Sequence, residues 1–390
     1  MPKLTRISFD PHNARREAAR RLLLAEPRRA GRNYVPALVA PLALLMTAPL
    51  SASLTAPSAN LPPVGHATAI TLDSGGDKII PRAARVEQLG GGFNWVEGPL
   101  WVPKGQFLLF SDVPKNRIYR WSRGRGTRLF LEPSGGEGEL RGFREPGSNG
   151  LKAARPGFLV MADQGNRGIA QLNLTTKRKR GIVDRFEGKR FNSPNDLIVG
   201  PGGAIWFTDP PYGLEGIDDS PLKEQAANGV YRLAPGGHVT LVEANLRFPN
   251  GIAFSPDGRT LYVSNSDPKR AVILAYDVAR SGDLSNRRVF ADMTPLADKL
   301  PGLPDGMVVD ERGDVFATGP GGVHIFSPAG RELGRISTDA AISNCTFGGV
   351  DGRTLFMTSS TAVYAVRTSV RGTPARLPAI FSRAREVVRP

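Results

Sequence analysis

The sequence predicts an all-β fold, a six-bladed β-propeller, and three observations lead there. From residue 97 onward one unit recurs six times, about every 40–55 residues, which is the period of a four-stranded blade. Gly (45) and Pro (33) are abundant while apolar residues still make up 40% of the 390, a mixture that suits many short strands joined by tight turns. No segment after residue 60 carries a long helical periodicity.

Each unit opens with a residue able to donate an oxygen ligand. The openings are Glu97-Gly98, Asn149-Gly150, Asn195-Asp196, Asn250-Gly251, Asp305-Gly306 and Asn344-Cys345. An apolar segment follows, then a turn such as Pro201-Gly202-Gly203 or Pro256-Asp257-Gly258. A second apolar strand comes next: 107–111, 158–162, 204–208, 260–264, 314–318 and 354–358. It ends on Asp112, Asp163, Asp209, Asn265, Gly319 or Ser359. Third strands are expected at 117–121, 168–174, 229–233, 272–278, 322–327 and 362–367, and fourth strands at segments such as 237–242 and 288–291. The ring must close, and 85–89 is placed to pair into the last blade.

The innermost strand of a blade lines the central channel. A residue at the same place in six such strands reaches the axis six times, so Glu97, Asn149, Asn195, Asn250, Asp305 and Asn344 should form a ring. Taken singly, an Asn-Gly or Asp-Gly pair reads as a turn. A turn does not require Glu in one unit and Asp in another, so the recurrence favours a central metal site. Six oxygen donors, two of them carboxylates, suit one divalent hard cation, with Ca2+ preferred and Mg2+, Mn2+ or Zn2+ as alternatives.

Other chemistries find little support. Cys345 is the only cysteine, which excludes an internal disulfide. His12, His66, His238 and His324 are scattered without zinc-ligand spacing. There is no nucleophile elbow, P-loop or dinucleotide fingerprint. The net charge is +15, yet the one dense basic run, Lys177–Arg180, falls at an expected hairpin turn and reads as solvated surface, so no nucleic-acid partner is expected.

The N-terminus reads differently. An arginine-rich stretch over 15–32 leads into apolar 35–50, broken by Pro36, Pro41 and Pro49, and then into small residues. This order reads as an export signal over 1–60, with Arg28-Arg29 as a candidate twin-arginine pair and an uncleaved anchor as the alternative. The prolines argue against stable membrane insertion. The expected organisation is a signal at 1–60, a Pro/Ser/Gly-rich linker at 61–84 and a single propeller domain at 85–390, exported to the periplasm or beyond.

Several ordered segments carry a resemblance: Glu97-Gly-Pro-Leu-Trp101, Asp112–Trp121, Arg144-Glu-Pro-Gly-Ser-Asn-Gly-Leu151, Asn192-Ser-Pro-Asn-Asp-Leu197, Phe207–Leu214, Phe248-Pro-Asn-Gly-Ile252 and Pro304-Asp-Gly-Met307. Over about 85–370 the chain resembles the gluconolactonase family, also called the regucalcin or senescence-marker-like family. The resemblance implies a six-bladed propeller holding a calcium-type ion on Glu97, Asn195, Asn250 and Asp305, with Asp305 also the general base. It further implies substrate contacts from Asn149, Asn195, Arg144, Asp209 and Tyr212. Gln164 departs from the pattern, since members often carry His there. The implied activity is metal-dependent opening of a sugar lactone to its hydroxy acid. An aryl-ester or phosphotriester hydrolase and a non-catalytic exported binding module stand as alternatives.

Overall fold

A computed structural model describes residues 68–73 and 75–379 of the chain. The expected export signal lies outside them. The described residues form six antiparallel sheets arranged as blades, besides a two-stranded ribbon of Arg185–Phe186 with Lys189–Arg190; blades one to four are each built from four consecutive strands, and blades five and six each gain an outer strand from before blade one. Blade one holds Val96–Val102, Phe107–Asp112, Arg117–Ser122 and Gly126–Leu131. Blade two holds Ser148–Ala153, Phe158–Asp163, Gly168–Asn173 and Lys179–Val183, and blade three Leu197–Val199, Ile205–Asp209, Gly229–Leu233 and Val239–Glu243. Blade four runs from Pro249–Phe254 through Thr260–Asp267 and Arg270–Val278 to Leu284–Asp292. Blade five begins with Met307–Val309, Val315–Gly319, Gly322–Phe326 and Glu332–Ser337. Blade six begins with Ile342–Gly348, Thr354–Ser359 and Ala362–Arg367. Among the described residues the one α-helical segment is Thr294–Ala297.

The second strand of each blade is buried on both faces because it packs between two neighbours, so it reads as a continuous apolar run rather than an alternating one. In blade one, Phe107 and Leu109 pack against Leu151, Leu159 and Met161 of blade two. Leu108 and Phe110, on the opposite face, pack against Phe356 and Val363 of blade six. The same division repeats round the ring, and the core is six such seams rather than one centre.

Closure follows expectation, with a shift of two residues. Glu87–Gly91 is the outer strand of blade six, antiparallel to Ala362–Arg367 with Glu87 opposite Ala365. The expected linker at 61–84 needs correction. Ala69–Leu72 is a fifth strand on the outer edge of blade five, with Ala69 opposite Ser337 and Leu72 opposite Gly334. Ile79 and Ile80 are then buried in the seam between blades five and six. A four-residue strand offers too few alternations to stand out from its surroundings. It is a strand because the edge of blade five offers unpaired backbone groups.

Beyond the last strand, the chain runs back under the channel. Thr373 N donates to Val309 O at 3.0 Å, and an Arg376 guanidinium nitrogen donates to Pro256 O at 2.7 Å. The segment 372–376 borders a cavity of about 410 Å³ at this end of the channel, lined also by Leu100, Lys152, Ile198, Ala253, Val308 and Cys345.

Candidate metal centre

The six openings are brought together as repeat symmetry requires. The Asn149 amide donates to Asn195 Oδ1, and the Asn195 amide donates to Asn250 Oδ1. Across the gap between blades six and one, Asn344 Nδ2 donates to Glu97 Oε2 at 3.1 Å. Asp305 stands between Asn250 and Asn344 in chain order. Glu97, Asn149, Asn195, Asn250 and Asn344 are all buried, while Asp305 keeps partial exposure.

Local backbone explains why these side chains project to the axis. In blades one, two, four and six the innermost strand has a register irregularity at the ring residue: between Glu97 and Leu100, Ser148 and Leu151, Pro249 and Ile252, and Ile342 and Asn344. Such bulges interrupt the ladder and re-aim a side chain. Blades three and five reach a similar result just before the strand begins, where Asn195 N and Asp305 N bond to the carbonyls of Thr208 and Thr318.

The glycine after the ring residue has a different cause from the turn reading. Only Gly98 of the four has a positive φ. A Cβ on Gly251 would collide with the Asp305 carbonyl, one on Gly306 with the Asn344 amide, and one on Gly150 with the Asp196 carboxylate. Neighbouring blades approach too closely for a side chain. Gly251→Ala is therefore expected to lower the unfolding free energy by about 1–3 kcal/mol. Gly181→Ala, whose Cβ would meet nothing within 4 Å, should be neutral within about 0.5 kcal/mol. Equal denaturant midpoints for the two variants would refute the packing explanation.

Hydroxyls on the second strands of blades one, three and four pin each of these blades to the next. Ser111 Oγ donates to Asn149 O at 2.9 Å, Thr208 Oγ1 to Asn250 O at 2.7 Å, and Ser264 Oγ to Asp305 O at 2.8 Å. The polar closings hold the loops that lead in. Asp112 accepts from the Asn94 and Trp95 amides, Asn265 from Phe248 N at 3.0 Å, and Asp209 from Asn192 N at 2.7 Å. This corrects the expectation for Asp209 as a substrate contact: it is 0% exposed and its carboxylate secures the segment before Asn195. Burial, only partly opposed by the Asn192 amide, pushes its pKa well up.

The remaining expected substrate contacts lie at the mouth. Tyr212 stacks on Phe248 with ring centroids 5.6 Å apart, and burial raises its phenol pKa, with further influence from Asp305. Arg144 is half exposed and pairs with Glu145 at 2.6 Å. Glu145 was not singled out from the sequence, although it adjoins Arg144. Burial raises its pKa against the pull of Arg144, and its charge is felt at both Glu97 and Asp305. The loops carrying these groups are joined, with Arg144 N donating to Gly213 O and Glu215 N to Gly142 O. Gln164 is fully buried, and neither amide atom has a partner among the described residues.

The electrostatics test whether a cation fits. Burial pushes Glu97 up to about 8, against the Gly98 and Asn344 donors and with help from the Asp196 charge. Asp305 is raised well above the usual carboxylate range, first by burial and then by Glu97 and Asp196. Its buried Oδ1 has no partner among the described residues. No three His, Cys, Asp or Glu residues converge among the described residues, so amide oxygens must complete any shell. Two repelling carboxylates, an unsatisfied oxygen and several amide oxygens are the donor set of a hard divalent ion, and the residues fit one.

Comparison with known proteins agrees with this architecture. A family model described as the SMP-30/Gluconolactonase/LRE-like region matches residues 95–361. The gluconolactonase of Zymomonas mobilis is 44% identical over 302 residues, covering 76% of this chain and 85% of that protein. Regucalcin of Danio rerio is 29% identical over 268 residues, covering 68% and 82%. A gluconolactonase of known structure from Xanthomonas campestris superposes with a TM-score of 0.67 at 32% identity, over 79% of this chain and 97% of its own. The chain belongs to the SMP-30/gluconolactonase/LRE-like family and is a lactone hydrolase.

Proposed function

We propose that the chain opens a sugar lactone of the aldonolactone class, with one divalent ion, calcium preferred, held by Glu97, Asn195, Asn250 and Asp305, and with Asp305 as general base. The observation that carries this reading is the ring itself: two carboxylates whose pKa values are both raised, Asp305 in part by the Glu97 charge, set among asparagine amides, with one carboxylate oxygen unpartnered among the described residues. Relatives named as lactonases support the substrate class.

When bound, the ion would supply Lewis-acid polarisation of the lactone carbonyl. Asp305, the ring carboxylate with partial exposure, takes a proton from water as the water oxygen bonds to the carbonyl carbon. The carbon–oxygen bond of the ring then breaks, and the proton passes to the departing ring oxygen. Asn149, Asn195 and Asn250 orient the reacting groups without adding charge. Arg144 and Tyr212, at the mouth, are placed to meet the hydroxyls of a polyol substrate. We further infer that residues 1–60 direct export, on the sequence order described above; N-terminal sequencing of the protein from the periplasmic fraction tests this.

Acid release from a panel of aldonolactones, before and after chelation and with single ions restored, tests the main reading. Chelation is expected to abolish turnover, and calcium to restore it best. Full activity in chelator would remove the ion from the reaction. Turnover of only aryl esters or phosphotriesters would move the substrate assignment to those classes.

A further inference from the structure

Asp196 directly follows the ring residue Asn195, where four of the other five ring residues are followed by glycine and the fifth by cysteine. Its side chain is 2% exposed, and Lys152 Nζ lies 3.5 Å from its Oδ1. Oδ1 also accepts from Leu197 N at 2.8 Å, while Oδ2 has no partner among the described residues. Lys152 comes from the innermost strand of blade two, three residues beyond Asn149, and lines the cavity at the far end of the channel. The Asp196 charge is felt at both ring carboxylates.

We propose that Lys152 and Asp196 set the charge of the metal ring, Lys152 acting as an internal cation that cancels the third carboxylate of the channel. With Glu145 paired to Arg144, the carboxylates of Glu97, Asp305 and Asp196 against the one ammonium leave two negative charges, equal and opposite to one divalent ion. This rests on the metal reading above. Lys152 and Asp196 are positioning residues: they act on the ion through the field at Glu97 and Asp305. Calcium affinity is tuned by the charge of its surroundings, and in a buried channel a unit charge a few ångströms away is strongly felt. Without the Lys152 charge, the ring should hold cations more tightly and favour a trivalent one. Without the Asp196 charge, an uncompensated ammonium should repel them.

The test is calorimetric titration of the metal-stripped full chain with Ca2+ and with Tb3+. Lys152→Met is expected to tighten Ca2+ by about tenfold and Tb3+ by more, and Asp196→Asn to weaken Ca2+ by about tenfold. Lys152→Arg, which keeps the charge, should stay near the wild type. So should the double variant Lys152→Met/Asp196→Asn, which also removes the risk that a lone buried charge prevents folding. Unchanged Ca2+ affinity in Asp196→Asn, or an unchanged Tb3+/Ca2+ ratio in a folded Lys152→Met, would overturn the inference while leaving the metal reading intact. A wild-type chain that binds neither ion would overturn both.

Discussion

Asp305→Asn should lower turnover of an aldonolactone by about 10²–10⁴-fold at saturating calcium, the usual effect of removing a general base. The substitution keeps the shape of the side chain and removes its charge, so calcium affinity should fall as well. Misfolding is separated from chemistry by one further expectation. In the metal-free protein Asp305 is a carboxylate that burial and the Glu97 charge make costly to ionise. Replacing it with a neutral amide should therefore raise the melting temperature of the metal-free chain above that of the wild type at pH 8. A less stable, inactive variant would indicate a structural role. A fully active one would remove Asp305 as the base. Residues retained for function at a cost in stability are common at active sites.

The second large effect joins pH to metal. Glu97 has its folded pKa raised from 4.5 to about 8. Because the native state prefers the protonated form, its contribution to stability is full below pH 4.5 and is lost as pH rises through 8. Asp305 shifts in the same direction. The melting temperature of the metal-free chain should therefore fall across this window. Calcium requires the ionised carboxylates, so its affinity should rise over the same range. At 100 times its Kd it adds about 2.7 kcal/mol of stability. Thermal scans at pH 5, 6.5 and 8, with chelator and with calcium, check both slopes. A metal-free melting temperature that rises with pH would contradict the assigned environment of Glu97.

Much of this was legible in the sequence because a propeller repeats its solution. Each blade meets the same demands, so the opening residue, the apolar second strand and the polar closing recur in order, and symmetry alone brings Glu97, the asparagines and Asp305 to one axis. The roles that depend on partners distant in the chain were less legible. Asp209 sits in a family-like segment, and only its bond to the Asn192 amide shows that it secures a loop. Glu145 adjoins a residue that was singled out, yet its burial depends on the junction of two rim loops. Asp196 was not singled out from the sequence, and its countercharge comes from another blade.

The sequence by itself therefore determined the number of blades, the closure of the ring and which residues meet at the axis, because these follow from periodicity and alternation, which are local properties of the chain. Only the tertiary structure decided what the glycines avoid, where Ala69–Leu72 pairs and which carboxylates face a backbone amide, an ammonium or the channel. Those outcomes depend on distances between segments far apart in sequence. Burial and hydrogen bonding act on such distances, and no local pattern records them.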